Sequence, residues 1–384
     1  MALAPVTLIS LLFHGLIAWR LLPDLPDTAA LILGGVLLVS ALLVPRGLMG
    51  RSGKRGPWSS AIVWTGLLCM GLFSSLLVLT LLRDVLLLGA WGVQASGLEL
   101  RLDTLRHTSA QAVPLLAWLM TMLGFWNARR TAAVVRVDVK IANLPTALHG
   151  FTMAQISDIH VGPTIKTHYL QRIVDRVNSL GAHMVAITGD LVDGSVKELG
   201  RHIAPLAQLQ STHGTFFVTG NHEYYSGAHG WIDALRGLGV QVLMNEHVVI
   251  HHSSGTQDPE HAMLVVAGVA DYTAHHFDES HRSDPHAALA QAPDQAVFKL
   301  LLAHQPRSAV AAEQAGFDLQ LSGHTHGGQF WPWGYFVRFQ QPFTAGLNRL
   351  GNLWVYTSRG TGYWGPPKRF GAPSEITLLR LVQA

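Results

Sequence analysis

The first third of the chain can hardly fold as anything but helices in a bilayer. Four long apolar runs, Ala4 to Leu22, Ala29 to Val44, Trp58 to Leu82 and Ala112 to Trp126, follow one another with few acids among them. In lipid, backbone polar groups must be satisfied within a helix or a closed barrel, and runs of about 20 apolar residues suit spanning helices. The second and fourth runs are short, so four spans are expected, with two or three as the alternative. A signal peptide does not fit the first run, which lacks a basic start and an Ala-x-Ala site. Arg46, Arg51, Lys54 and Arg55 crowd the second loop, and Arg129, Arg130 and Arg136 follow the fourth run. Arg20, Asp24 and Asp27 mark the first loop; Arg83, Arg101 and Arg106 are balanced by Asp84, Glu99 and Asp103 in the third. The excess of positive loop charge puts both termini, and the polar remainder of the chain, on the cytoplasmic side of the inner membrane.

The mean hydropathy of +0.26 therefore averages a membrane part and a soluble part. Residues 1–130 are read as a membrane domain, 131–150 as a linker and leading strand, and 151–384 as a soluble domain. The net charge of +3 is small and the soluble part has no long basic run, so nucleic-acid binding is not indicated. The single Cys69 lies in an apolar run, which excludes a disulfide framework or a Cys-based metal site.

From Val134 the pattern changes to apolar strands alternating with helices. Val135, Val137, Val139 and Ile141 alternate with polar residues; Phe151–Ser157, His183–Thr188, Thr215–Thr219, Phe298–Ala303 and Leu319–Ser322 are buried-strand runs. Further strands are expected at Val240–Leu243, Val248–His251, Met263–Val269, Leu353–Thr357 and Ile376–Leu381. Helices are expected at Tyr169–Leu180, around Ile203–Leu209 and at Trp231–Leu238. Near-continuous apolar strands imply an α/β domain with covered sheets, whose ligands gather at strand C-termini.

Those termini carry Asp158 and His160, Asp190, Asn221 and His222, His304, and the Gly323-His324-Thr325-His326-Gly327-Gly328 turn. Any one of these has an ordinary explanation as a cap or turn residue. Independent caps would not place carboxylate, amide and imidazole groups, and no thiolate, at every exit. Such donors suit Mn, Fe, Zn or similar ions, and seven of these eight are enough for two.

The ordered blocks Asp158-Ile-His160, Gly189-Asp190-x-x-Asp193, Gly220-Asn221-His222-Glu223, His304 and Gly323-His324-x-His326 resemble the calcineurin-like metallophosphoesterases. Gly327-Gly328-Gln329 and Ser358-Arg359-Gly360 are similar to the bacterial membrane-attached phosphodiesterase branch of that superfamily. The resemblance implies a two-sheet, four-layer αββα sandwich and two divalent metal ions. Asp158, His160 and His326 would hold the first and Asn221, His304 and His324 the second, with Asp190 bridging. Two cations roughly 3.5–4 Å apart would activate a shared hydroxide for in-line attack on a phosphodiester or pyrophosphate bond. His222 would be the general acid, oriented by Asp193, and Arg359 either a phosphate contact or a structural ion pair. Protein Ser/Thr phosphatases of the superfamily place an Arg where this chain has Gly194, which weakens a protein-phosphatase reading.

The run from Phe330 to Phe336 and the stretch Tyr363–Pro367 are rich in Trp and Tyr, which favour membrane interfaces. They suggest an apolar lip for a lipid or lipid-linked substrate; the plainer reading packs them against the second sheet. A phosphodiesterase for soluble nucleotides is the enzymatic alternative, and a non-catalytic membrane sensor a remote one.

Overall fold

The computed structural model describes residues 3–50, 59–253 and 262–384. Arg51, Lys54 and Arg55 of the basic loop, and 254–261 of the polar stretch, lie outside the described residues. The chain divides into a helical unit, 1–129 with Gly365–Phe370, and a second unit, 130–364 with 371–384.

Among the described residues, four helices are long and apolar enough to cross a membrane: α1 (Leu3–Leu21), α2 (Asp27–Met49), α3 (Ser59–Ala95) and α4 (Leu102–Arg129). Ile17, Leu21, Leu33, Leu37, Leu76, Val113 and Ala117 form their common core. The last three helices outrun the apolar segments expected from sequence. In α3 and α4, charges that read as loop residues in the sequence are paired inside the unit. Arg83 and Asp84 sit within α3, not in a loop: Arg83 is bound to the Asp24 carboxylate, and Arg20 forms a two-pronged pair with Asp84 at 2.8–3.0 Å. Arg106 reaches the second Asp24 oxygen at 3.1 Å. Removing one member of a buried pair strands the other, at about 3–5 kcal/mol. Asp24→Ala, which strands the buried Arg83, is therefore expected to lower the thermal midpoint of the detergent-solubilised protein by several degrees. An unchanged midpoint would mean that Arg83 is hydrated without it.

The segment Gly365–Phe370 packs with these helices although it follows most strands of the second unit in sequence. Lys368 Nζ donates to Gly71 O (2.7 Å), Ser75 Oγ (2.5 Å) and Thr121 Oγ1 (3.1 Å), and Arg369 N donates to Gly124 O.

The second unit holds two six-stranded sheets. The first runs β1 (Ala133–Ile141), β12 (Glu375–Gln383), β2 (Thr152–Ile156), β3 (Met184–Ile187), β4 (Thr215–Phe217), β5 (Gln241–Val242); β2 to β5 are parallel. The second runs β10 (Gly346–Leu350), β11 (Leu353–Thr357), β9 (Leu319–Ser322), β8 (Phe298–Leu302), β7 (Ala262–Gly268), β6 (Glu246–His252), with β11, β9, β8 and β7 parallel. Side chains alternate across each strand. Met184, Ala186 and Phe216 of one sheet meet Leu264, Leu300, Leu302 and Leu321 of the other in a shared core. Val185 and Ile187 face the opposite side and are equally buried. That side belongs to the crossovers: α5 (Thr167–Asn178), which buries Leu170, Ile173, Val174 and Val177, then α6 (Val196–Ile203), α7 (Asn221–Ser226) and α8 (Ala228–Gly237). On the far face of the second sheet, Val265, Leu301 and Val355 pack with Ala309 and Ala312 of α10 (Ala309–Ala315). Single turns α9 (Pro285–Ala288) and α11 (Gly334–Val337) complete the unit. This is the expected α/β sandwich of two covered sheets.

The helix expected around Ile203–Leu209 forms earlier, at α6. Ser195 and Glu198 close a capping box at its start, and Pro205 lies in the 3-10 turn that follows it. β10 went unanticipated because its sequence, Gly-Leu-Asn-Arg-Leu, has weak strand character; pairing with β11 holds it.

Candidate metal centre

Every strand that ends in a candidate ligand points its C-terminus to one place. Asp158 and His160 follow β2, Asp190 follows β3, Asn221 opens α7 after β4, His304 follows β8, and His324 and His326 follow β9. The backbone there is unusual. Asp158, His160, Asp190, His324 and His326 all have φ between 51° and 69°. A non-glycine residue in this left-handed region costs of order 1–3 kcal/mol, and such residues cluster at functional sites. Five in one cluster mark a constraint that packing alone does not need. Two glycines let the loops meet. A Cβ on Gly220 would lie 2.2 Å from Asp190 Oδ1, and one on Gly323 would lie 2.0 Å from Ser157 Oγ and 2.2 Å from Asp158 Oδ2.

The donors fall into two groups. In the first, His160 Nε2 is 3.0 Å from His326 Nε2, which is 3.5 Å from Asp158 Oδ1. In the second, His304 Nε2 is 3.2 Å from both His324 Nδ1 and Asp190 Oδ2. Asp190 Oδ2 also lies 3.9 Å from His160 Nε2, so this carboxylate stands between the groups. Hydrogen bonds settle which ring nitrogens are free. His304 Nδ1 donates to the Thr188 carbonyl (2.7 Å), and His160 Nδ1 donates to Asp193 Oδ1 (3.2 Å). Both Nε2 atoms are thereby turned inward, the arrangement that metal-ligating histidines adopt. The Asn221 Oδ1 is buried with no hydrogen-bond partner. Converging ring nitrogens and an orphaned amide oxygen are what a cation would satisfy, so the residues fit divalent ions.

The charges here are strongly interdependent. Burial opposes ionisation of Asp190, but His304, His222 and His160 outweigh it and hold the carboxyl well below its usual range. Burial likewise disfavours the His304 cation, yet Asp190, Asp158 and Asp271 raise its pKa well above the usual value. His324 is pushed down to about 3 by burial and by His304, and burial raises Asp158. A metal at His304 Nε2 must displace that proton. Metal affinity is expected to strengthen as pH rises toward the elevated His304 pKa, with proton release on loading, measurable by calorimetry in buffers of different ionisation enthalpy. Loading without proton release at neutral pH would count against His304 as a ligand.

His222 Nδ1 is 2.5 Å from Asp193 Oδ1, and its Nε2 is 3.9 Å from Asp190 Oδ2. Asp193 thus touches both His160 and His222 through one oxygen. Arg359 forms an ion pair with Glu375, with Nε and a terminal nitrogen each 2.8 Å from Oε2.

Two residues were not assigned roles from sequence. The buried Glu223 accepts from the backbone N–H groups of Asp190 (2.9 Å), Leu191 (2.8 Å), Val192 (3.3 Å) and Gly220 (2.7 Å), locking the Asp190 loop to the start of α7. Burial and the Asp190 charge push its carboxyl up to about 8 against those donors. Its place three residues after Gly220, at the third position of a helix, was the available signal. Gln329 exchanges two 2.8 Å hydrogen bonds with the Trp364 backbone, and the Trp364 ring lies 6.0 Å from that of His222.

The aromatic stretch divides. Phe330 and Tyr363 are buried, whereas Trp333, Tyr335 and Phe336 are exposed. A cavity of about 350 Å³, lined by Phe330, Trp331, Pro332, Tyr335 and Arg338, adjoins Gly327 next to His326.

The chain is similar to known metallophosphoesterases. The family model described as calcineurin-like phosphoesterase matches residues 151–328. Proteins described as "transmembrane protein with metallophosphoesterase domain" are 37% identical over 271 residues in Danio rerio and 40% over 273 residues in Bos taurus. Each match covers 69% of this chain but only 61% of the relative's length. A metallophosphoesterase of Aquifex aeolicus is 32% identical over 269 residues, spanning 69% of this chain and 98% of the relative. A crystal structure of a calcineurin-like phosphoesterase from Bacillus subtilis aligns over 56% of this chain and 82% of its own, at 14% identity and a TM-score of 0.40.

Proposed function

Because the chain belongs to the calcineurin-like phosphoesterase family, we propose that it is a membrane-anchored hydrolase of phosphodiester or pyrophosphate bonds working through two divalent ions. The observation that carries this reading is the pair of donor groups on either side of Asp190, with histidine nitrogens turned inward. When bound, two ions would polarise the phosphoryl group and activate water. Asp158, His160 and His326 would hold one ion, and Asn221, His304 and His324 the other. Asp190 would contribute one carboxylate to both and offset part of their charge. His222 would deliver a proton to the leaving oxygen from Nε2, its ring fixed through Nδ1 by Asp193. Asp193 and Glu223 would act by orientation, the first on His222 and His160, the second on the Asp190 loop.

The substrate we favour is a lipid or lipid-linked phosphoester. The apolar cavity beside Gly327, with Arg338 at its wall, suits a chain attached to an anionic phosphate. Exposed Trp333, Tyr335 and Phe336 suit a headgroup region. Positive charges at Arg46, Arg129 and Arg130 support a cytoplasmic placement of the second unit at the inner membrane. The test is turnover by the full chain in detergent with Mn²⁺ of a lipid pyrophosphate, bis(p-nitrophenyl) phosphate and cyclic nucleotides. Turnover fastest on the lipid is expected. Activity confined to nucleotides would overturn the lipid assignment, and inactivity on all three would overturn the hydrolase reading.

A further inference from the structure

A second group of metal-type donors lies outside the centre already described. His229 in the first turn of α8, Asp278 and His281 each present one ligand atom, all within 4.8 Å of one another. His229 Nε2 is 2.9 Å from Asp278 Oδ2, and the His229 and His281 ring centroids are 4.8 Å apart. The outer contacts are organised as well. Asp278 Oδ1 is occupied by the Ser280 N–H (3.0 Å) and hydroxyl (2.6 Å), which leaves Oδ2 toward the histidines. His281 Nδ1 is held by the Tyr224 hydroxyl at 2.9 Å. Partners of this kind fix the ring and carboxylate orientation in metal sites.

We propose that His229, Asp278 and His281 form an additional divalent-cation site of the Zn²⁺ type. Two imidazoles and one carboxylate suit a borderline ion, with the remaining positions open to water. The site joins two segments distant in sequence, the α7–α8 turn and the 271–284 segment. That segment carries Phe277, whose ring is 5.5 Å from Tyr225, itself 5.3 Å from His222. A bound ion therefore pins the segment that flanks the general-acid candidate. The open, half-exposed position suits exchange with free metal more than permanent retention.

The test counts ions. Full-length protein in detergent is stripped with chelator, equilibrated with Zn²⁺, freed of excess and analysed for metal per chain. His229→Gln, at a largely exposed side chain, and Asp278→Asn are each expected to bind one Zn²⁺ fewer than wild type. Asp158→Asn combined with Asp190→Asn should keep that equivalent while losing others, which separates this site from the catalytic one. Hydrogen exchange over residues 271–284 should slow on adding Zn²⁺ in wild type and in the double variant, but not in His229→Gln. Equal stoichiometry in wild type, His229→Gln and Asp278→Asn, with no zinc-dependent protection, would overturn the proposal and leave the triad as an ion pair.

Discussion

Asp190→Asn is expected to lower kcat by on the order of 10³-fold on any phosphodiester substrate, a loss of the size produced by removing one preorganised electrostatic group. The substitution keeps the volume and can keep the acceptor for the His222 backbone N–H, which now meets Oδ1 at 2.9 Å. It removes the carboxylate placed 3.2 Å from His304 Nε2 and 3.9 Å from His160 Nε2. Fold should therefore survive while the two halves of the centre lose their shared charge. Metal content should drop in parallel, and excess Mn²⁺ should restore only part of the rate. The measurement is steady-state kinetics alongside elemental analysis. Activity within about tenfold of wild type, with metal content unchanged, would sink the bridging role.

How far could this centre be anticipated? Its members were legible because the strands before them are almost wholly apolar, so polar side chains at the exits had no packing reason to be there. Asp158 after β2 and His304 after β8 come from different sheets and are separated by more than a third of the chain, yet parallel strands send both to one edge. The division into two donor sets was carried by resemblance alone. In the structure it rests on left-handed backbone at five residues and on acceptors such as the Thr188 carbonyl, neither of which leaves a trace in composition.

Glu223 shows the opposite failure. It stood inside a quoted block, but three of its four backbone partners come from a loop some thirty residues upstream, and only folding brings them together. The helical unit failed differently. Apolar windows break at Arg83 and Asp84, whereas the helix continues because Asp24 and Arg20 neutralise them from another part of the chain. Local hydropathy cannot see a partner sixty residues away.

The sharper test of chemistry is His222→Asn, because its effect should depend on the leaving group. General-acid catalysis is worth about 10²–10⁴-fold where the departing oxygen needs a proton. For a lipid or alkyl phosphodiester, whose alkoxide leaves poorly, kcat should fall by that amount. For bis(p-nitrophenyl) phosphate, whose nitrophenolate leaves unprotonated, the loss should stay within about tenfold. The geometry separates the two roles: the His222 ring reaches Asp190 Oδ2 through Nε2 at 3.9 Å, its backbone N–H meets Asp190 Oδ1 at 2.9 Å whatever the side chain, and it belongs to neither donor set. Asp193→Asn should reduce turnover of the poor-leaving-group substrate by roughly 10–100-fold, since it frees His222 Nδ1. It should also weaken metal retention, since the same oxygen orients His160. His222→Asn should leave metal content intact. If His222→Asn slowed both substrates equally, or stripped metal as Asp193→Asn does, the histidine would be a structural or metal-holding group and the proton would have to come from water.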